Sequence, residues 1–143
     1  MPSKPIEDTL SFKFVKLVRA HRDRIASSLR DLHLYPGQEL MLSQLWKKEG
    51  LNQSELAATC GLEPPTITKV LERMSGADLV QVKPDPDDKR VRRVYLTDRG
   101  RALKNEVRDL WSSVEGQLLR GFNKKERDAL RGFLNRMRDN IAE

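Results

Sequence analysis

Cysteine occurs once in the 143 residues, at Cys60, and histidine twice, at His21 and His33. A single thiol excludes an internal disulfide framework and any structural zinc site built on paired cysteines. The two histidines stand twelve residues apart on one expected helix, too far around and along it to chelate a metal without other ligands, so no metal and no cofactor is expected. Long hydrophobic runs are missing too: nothing approaches the ~18 apolar residues of a membrane span. Lys4 near the start is followed by no apolar stretch of the kind a secretory signal needs, which leads to the expectation of a cytoplasmic protein with no membrane partner. The glycine-rich nucleotide loops, the HExxH zinc pattern and the GxSxG nucleophile turn are all absent. No residue is therefore assigned a catalytic role, and an enzyme is the weaker reading.

What is present is charge and helical periodicity. Lys and Arg number 27 against 21 Asp and Glu, a net +6, with 38% hydrophobic and 34% charged residues. That balance suits one globular domain with a modest core and favours an anionic partner. The excess is unevenly placed: residues 51–100 carry eight basic and eight acidic groups, whereas the segments on either side each carry an excess of three basic groups. Net charge thus permits an anionic partner without locating its site.

From about Asp8 to His33, Leu10, Phe14, Leu17, Val18, Ile25, Leu29 and Leu32 draw one stripe along a long amphipathic helix. Tyr35-Pro36-Gly37 breaks it, and Pro36 suits the first turn of a second, short helix that ends before Gly50. Asn52 and Glu55 have capping-box spacing at the start of a third helix, closed by Gly61, in which Leu56, Ala57 and Cys60 face inward. A fourth opens on Glu63-Pro64-Pro65 and runs to Ser75-Gly76. Its stripe of Ile67, Val70, Leu71 and Met74 opposes a polar face of Thr66, Thr68, Lys69, Glu72 and Arg73. Leu79 to Lys83 and Val91 to Leu96 read as strands around the turn-former cluster Pro84 to Arg90. Thr97-Asp98 caps a long helix to Leu119, and a second capping-box pair, Asn123 and Glu126, starts the last.

The middle third reads helix, tight turn, helix, hairpin, which is a winged helix-turn-helix. In such a fold the second helix of the pair fits a major groove about 12 Å wide, where Thr66, Thr68, Lys69 and Arg73 meet base edges. Arg90, at the end of the hairpin loop, is placed for the adjacent minor groove. Lys83 and Lys89 fall beside phosphates, and Asn52, Gln53 and Ser54 offer free amides and short polar groups at a helix start, a ready phosphate site that simple capping explains equally well.

The stretch from Lys83-Pro84-Asp85-Pro86-Asp87-Asp88-Lys89-Arg90 to Leu96-Thr97-Asp98-Arg99-Gly100 resembles the MarR family of bacterial transcription regulators: an Asp-Pro-x-Asp-x-Arg wing followed by a Leu-Thr-x-x-Gly helix start. Ser54-Glu55-Leu56-Ala57 and Pro65-Thr66-Ile67-Thr68-Lys69 match the same pattern. Asp78 stands where that family usually has Gly, Val82 where an Arg is common, and Glu63 where a Ser or Asp cap is usual.

The resemblance implies a mainly α fold with a small two- or three-stranded β wing. It divides one continuous domain into an N-terminal dimerisation helix (1–34), a DNA-binding lobe (35–100) and C-terminal dimerisation helices (101–143). It further implies a homodimer on a pseudo-palindromic operator, acting as a repressor released by a small lipophilic or aromatic-acid effector. In that family pattern Asp88 orients Arg90, and a cleft between dimerisation helices and lobe holds the effector, with His33 and Trp46 as candidate lining and Trp111 and His21 near it. Two readings from other classes stay open. One is a winged-helix adaptor that binds protein instead of DNA, and the other is a carboxylate enzyme using Asp85, Asp87 and Asp88.

Overall fold

The computed structural model describes residues 3–142; Met1, Pro2 and Glu143, at the outer ends of the two expected helical arms, lie outside it. A single 3-10 turn, Ile6–Asp8, precedes α1 (Leu10–Arg30). The helix starts at Leu10, the first residue of the stripe and two past the expected Asp8, because the Thr9 hydroxyl accepts from the Phe12 N–H and caps it there. It ends as His33 turns left-handed, at φ 57°, while the Leu34 N–H returns to the Leu29 carbonyl.

Helix α2 (Gln38–Lys47) corrects one expectation: Pro36 lies outside the first turn. Gly37, at φ 95°, occupies the cap position instead, and the Gln38 side chain accepts from the Tyr35 N–H. Then follow β1 (Leu51–Asn52), α3 (Gln53–Cys60), α4 (Pro64–Gly76), β2 (Val80–Pro84) and β3 (Arg92–Leu96). The sheet is antiparallel in the order β1-β3-β2, with Val80 opposite Leu96 and Val82 opposite Val94. Two-residue β1, pairing Leu51 with Val94, is too short to leave a periodic signal.

The long helix expected from Thr97 to Leu119 is two helices, α5 (Asp98–Ala102) and α6 (Lys104–Leu118). At the break the Trp46 indole N–H donates to the Gly100 carbonyl at 2.9 Å, an oxygen that an uninterrupted helix offers to residue 104. Helix α7 (Lys124–Ile141) starts from the Asn123–Glu126 capping box.

The core fills the space between α2, α3, α4 and the sheet. Leu42, Leu45, Leu56, Leu71, Met74, Leu79 and Val94 are sealed from solvent, joined by Ile25 and Leu29 of α1 and by Val107 and Val114 of α6. At roughly 1.5 to 3 kcal/mol for each large side chain fully buried, Ile67, Leu71 and Met74 are what hold α4 to the lobe. Gly100 is a fixed point of this packing: a Cβ there would stand 2.3 Å from the Leu79 carbonyl oxygen. The arms differ from the lobe. Before Ile25, α1 buries nothing, and α7 buries no residue at all.

Candidate nucleic-acid interface

The third and fourth helices form the expected helix-turn-helix. Asn52 and Glu55 cap α3 reciprocally: the Asn52 side chain accepts from the Glu55 N–H at 2.8 Å, and Glu55 accepts from the Asn52 N–H at 3.2 Å. Asn52 is therefore committed to the cap, and the phosphate reading at this helix start passes to Gln53 and exposed Ser54. Gly61, left-handed at φ 66°, closes α3 and turns the chain into α4. Pro64 and Pro65 sit in the first turn of α4, where missing N–H groups cost nothing.

On α4 the polar face is fully presented. Thr66, Thr68, Lys69 and Arg73 are all exposed, opposite buried Ile67, Leu71 and Met74. The Thr68 hydroxyl donates to the Pro64 carbonyl at 3.1 Å, which turns its lone pairs outward. Lys69 and Arg73 form no ion pair among the described residues.

The wing is braced by two aspartate–arginine pairs with different burial. At the tip, Asp88 accepts from Arg90 Nε at 3.1 Å, from Arg90 Nη2 at 3.3 Å and from the Arg90 backbone N–H at 3.1 Å. The guanidinium is thereby held in one orientation while its side chain remains 91% exposed. At the base, Arg93 donates to Asp85 and, at 2.8 Å, to the Gly50 carbonyl. Asp85 also accepts the Asp87 and Asp88 N–H groups, and the loop closes with the Val91 N–H on the Asp88 carbonyl. Arg93 holds the Asp85 carboxyl below the ordinary carboxylate range, the loop N–H groups adding to the effect. Arg90 does the same for Asp88 through its side chain and then its N–H. Lys89 is exposed, and Lys83 lays its ammonium over the Tyr95 ring, 5.5 Å from the centroid.

Arg93 escaped sequence reasoning as a structural residue, since a charge count treats it like exposed Arg92. The strand alternation was the available signal: Arg92 and Arg93 face opposite sides of the ribbon. Three further polar groups fix the start of α5 to the rest of the lobe. Arg99 donates to the Ala77 carbonyl at the end of α4, and Arg101 pairs with Glu49, which accepts the Leu96 N–H at 2.8 Å. Thr97 donates to the Asp78 carbonyl and accepts from the Gly100 N–H.

The two candidate effector residues part company. His33 is exposed and lines a hollow with Tyr35, Met41, Cys60 and Arg73, while Trp46 lines a separate one beside Trp111. They do not face one cavity. Burial pushes the Cys60 thiol up, and its sulfur lies 3.8 Å from that of Met41, as suits a packing residue. In the wing turn Asp85 and Asp88 have their carboxylate oxygens on backbone N–H and guanidinium groups, and Asp87 donates its N–H to Asp85, which is bracing and not an acid–base pair. No helix of the described residues is long and apolar enough to cross a membrane.

Comparison with known proteins places this geometry. Residues 34–91 match the MarR family. The chain is 36% identical over 107 residues to the HTH-type transcriptional regulator TtmR of Methylorubrum extorquens, covering 75% of this chain and 53% of TtmR. It thus spans about half of that relative's length. The uncharacterized HTH-type transcriptional regulator YybA of Bacillus subtilis is 25% identical over 112 residues, covering 78% of this chain and 75% of YybA. Among solved structures, the transcriptional repressor CouR bound to a 23-mer DNA duplex superposes with a TM-score of 0.83 at 26% identity, over 96% of this chain and 99% of CouR. Wing motif, helix order and these likenesses agree: the chain belongs to the MarR family of winged helix-turn-helix transcription regulators.

Proposed function

We propose that this protein is a dimeric, sequence-specific DNA-binding repressor that releases a pseudo-palindromic operator when a small lipophilic effector enters the cleft between its arms and its lobe. The observation that carries the DNA reading is the pairing of a polar, unpaired α4 face with a wing guanidinium that is exposed yet fixed by Asp88. Thr66, Thr68, Lys69 and Arg73 read the major groove, Arg90 enters the minor groove, and Lys83, Lys89, Gln53 and Ser54 meet phosphates. CouR, of the same fold, is seen on a DNA duplex.

Dimerisation follows from the arms. Phe14, Leu17 and Val18 on α1 and Phe133, Leu134 and Met137 on α7 are large, apolar and open to solvent in the single chain, and a patch of that kind marks association. Two copies joined there present two α4 helices to successive major grooves, roughly 34 Å apart. A ligand that favours another spacing shifts the population away from the DNA-competent form.

The test is a binding titration on genomic fragments that the purified protein retains. Arg90→Ala is expected to cost about 1 to 3 kcal/mol of operator affinity. Wild-type affinity is expected to fall by orders of magnitude between about 50 and 200 mM salt. Binding indifferent to salt and to Arg90 would favour the protein-adaptor reading instead.

A further inference from the structure

Two hollows meet at the first turn of α2. One, of about 230 Å³, is walled by Trp46, Val107 and Trp111; the other, of about 410 Å³, by Val18, Ile25 and the same Trp111. Glu39 and Leu40 line both. The walls are therefore aliphatic and indole, with the His21 ring set edge-on to Trp111 at 5.4 Å.

Glu39 is the anomaly in this setting. It is 2% exposed and is the one acidic or basic residue buried among those described. Oε1 accepts the Gly37 N–H at 2.7 Å, which caps the start of α2. Oε2 has no hydrogen-bond partner and Glu39 forms no ion pair among the described residues. Among the described residues no side-chain oxygen is both sealed and unpartnered, so Oε2 keeps some access to solvent, on a residue that lines both hollows. With Oε1 spent on the Gly37 N–H, Oε2 is the acceptor left open to a donor entering the cleft.

We infer that the cleft takes a small lipophilic cation, an amine or amidine on an aromatic body, whose N–H group meets Glu39 while the body lies against Trp111. The inference rests on the ligand-responsive reading above for its location and replaces the acidic head group of the expected effector with a basic one. A carboxylate only accepts, so its complement is a donor, and an indole face adds attraction for a cation. An aromatic acid entering this cleft brings a second carboxylate toward the first. Arg22, Lys47 and Arg108 line the two hollows as well, but all three are exposed, where water and salt screen them. The buried group decides the sign.

The experiment is calorimetric titration of the full chain with a matched pair of probes, 4-phenylbenzylamine and biphenyl-4-carboxylate. The amine is expected to bind at least about tenfold more tightly, and Glu39→Gln to weaken it by about tenfold or more while leaving the acid unweakened. Leu40→Lys, at a half-exposed wall position, supplies its own ammonium beside Glu39 and is expected to abolish amine binding even if Glu39→Gln folds poorly. Acid binding as tight as amine binding, no binding of either probe, or amine affinity untouched by both substitutions each overturns the inference. A readout on DNA separates the two readings. An amine that binds through Glu39 without releasing DNA upholds the cleft chemistry and counts against effector release, whereas release by the acid alone does the reverse.

Discussion

The winged lobe and the helical arms carry the same amphipathic pattern and meet opposite fates. In the lobe the stripe of α4 is filled: Ile67, Leu71 and Met74 are buried against α2, α3 and the sheet. On α7 the stripe of Phe133, Leu134, Met137 and Ile141 is just as regular, yet all four are exposed among the described residues. Hydrophobic spacing therefore reports that a face needs a partner and is silent on whether the partner is in the same chain. The lobe is a finished core, and the arms leave an apolar face open that the proposed dimer would close.

Breaking the arms is expected to have the largest effect. Phe133→Glu combined with Met137→Glu sets charges on the open face of α7; sedimentation is expected to show a monomer, and operator affinity to drop by several orders of magnitude as one half-site is lost. Far-UV dichroism of the lobe should persist, and a dimer that survived would remove the contrast.

Gly100→Ala strikes the lobe instead. Its methyl meets the Leu79 carbonyl oxygen at 2.3 Å and a Leu96 methyl at 3.2 Å. Overpacking of this kind costs typically 1 to 3 kcal/mol, and backbone cannot yield as a side chain does, so urea unfolding should show a loss near the upper end with the dimer contacts intact.

Acid sharpens the comparison within the lobe. Asp85 and Asp88 are held below their ordinary value by Arg93 and Arg90, so their contribution is complete above the unfolded aspartate value of about 4. It is lost as pH falls through the depressed folded values. Limited proteolysis between pH 6 and pH 3 is expected to nick the 85–91 loop only at the acid end, and Asp85→Asn to move that onset toward neutrality. Cleavage of the wild-type loop at pH 6 would deny the bracing role.

Asp78→Gly should have the smallest effect. Asp78 is left-handed at φ 58°, and its interaction with Thr97 uses only its carbonyl. Glycine adopts that conformation without the Cβ penalty but gains freedom when unfolded, so a net stabilisation of no more than about 1 kcal/mol is expected in thermal melts. A clear destabilisation would mean that the Asp78 carboxylate has a role of its own.

Much of this architecture was legible in the residues. Both capping boxes, the α3–α4 pair and the hairpin sit where Asn52, Gly61, Pro64 and the Pro84 to Arg90 cluster suggested, since caps and turns are decided by neighbours in sequence. What escaped was decided across distance. The Thr97 helix breaks because an indole 54 residues away takes the Gly100 carbonyl, and Arg93 is structural because Asp85 and Gly50 converge on it. His33 and Trp46 share a helical neighbourhood in sequence yet line different hollows, because Trp46, itself on α2, lies beside Val107 and Trp111 of α6 whereas His33 lies beside Met41 and Cys60. The Arg90 brace on Asp88 is expected through the family resemblance, since a two-residue spacing alone suits plain turn chemistry equally well.

The hydrogen bond from Trp46 to Gly100 has a practical side. The chain has two tryptophans: one is tethered where α2 meets the α5–α6 break, and the other stands in the cleft with His21 at its edge. Both indoles wall the smaller hollow, but only Trp46 is also bonded at the joint between α2 and the α5–α6 break. Replacing Trp46 leaves Trp111 as an optical reporter of occupancy, and comparison with the Trp111 variant isolates repositioning at the joint, with no label attached.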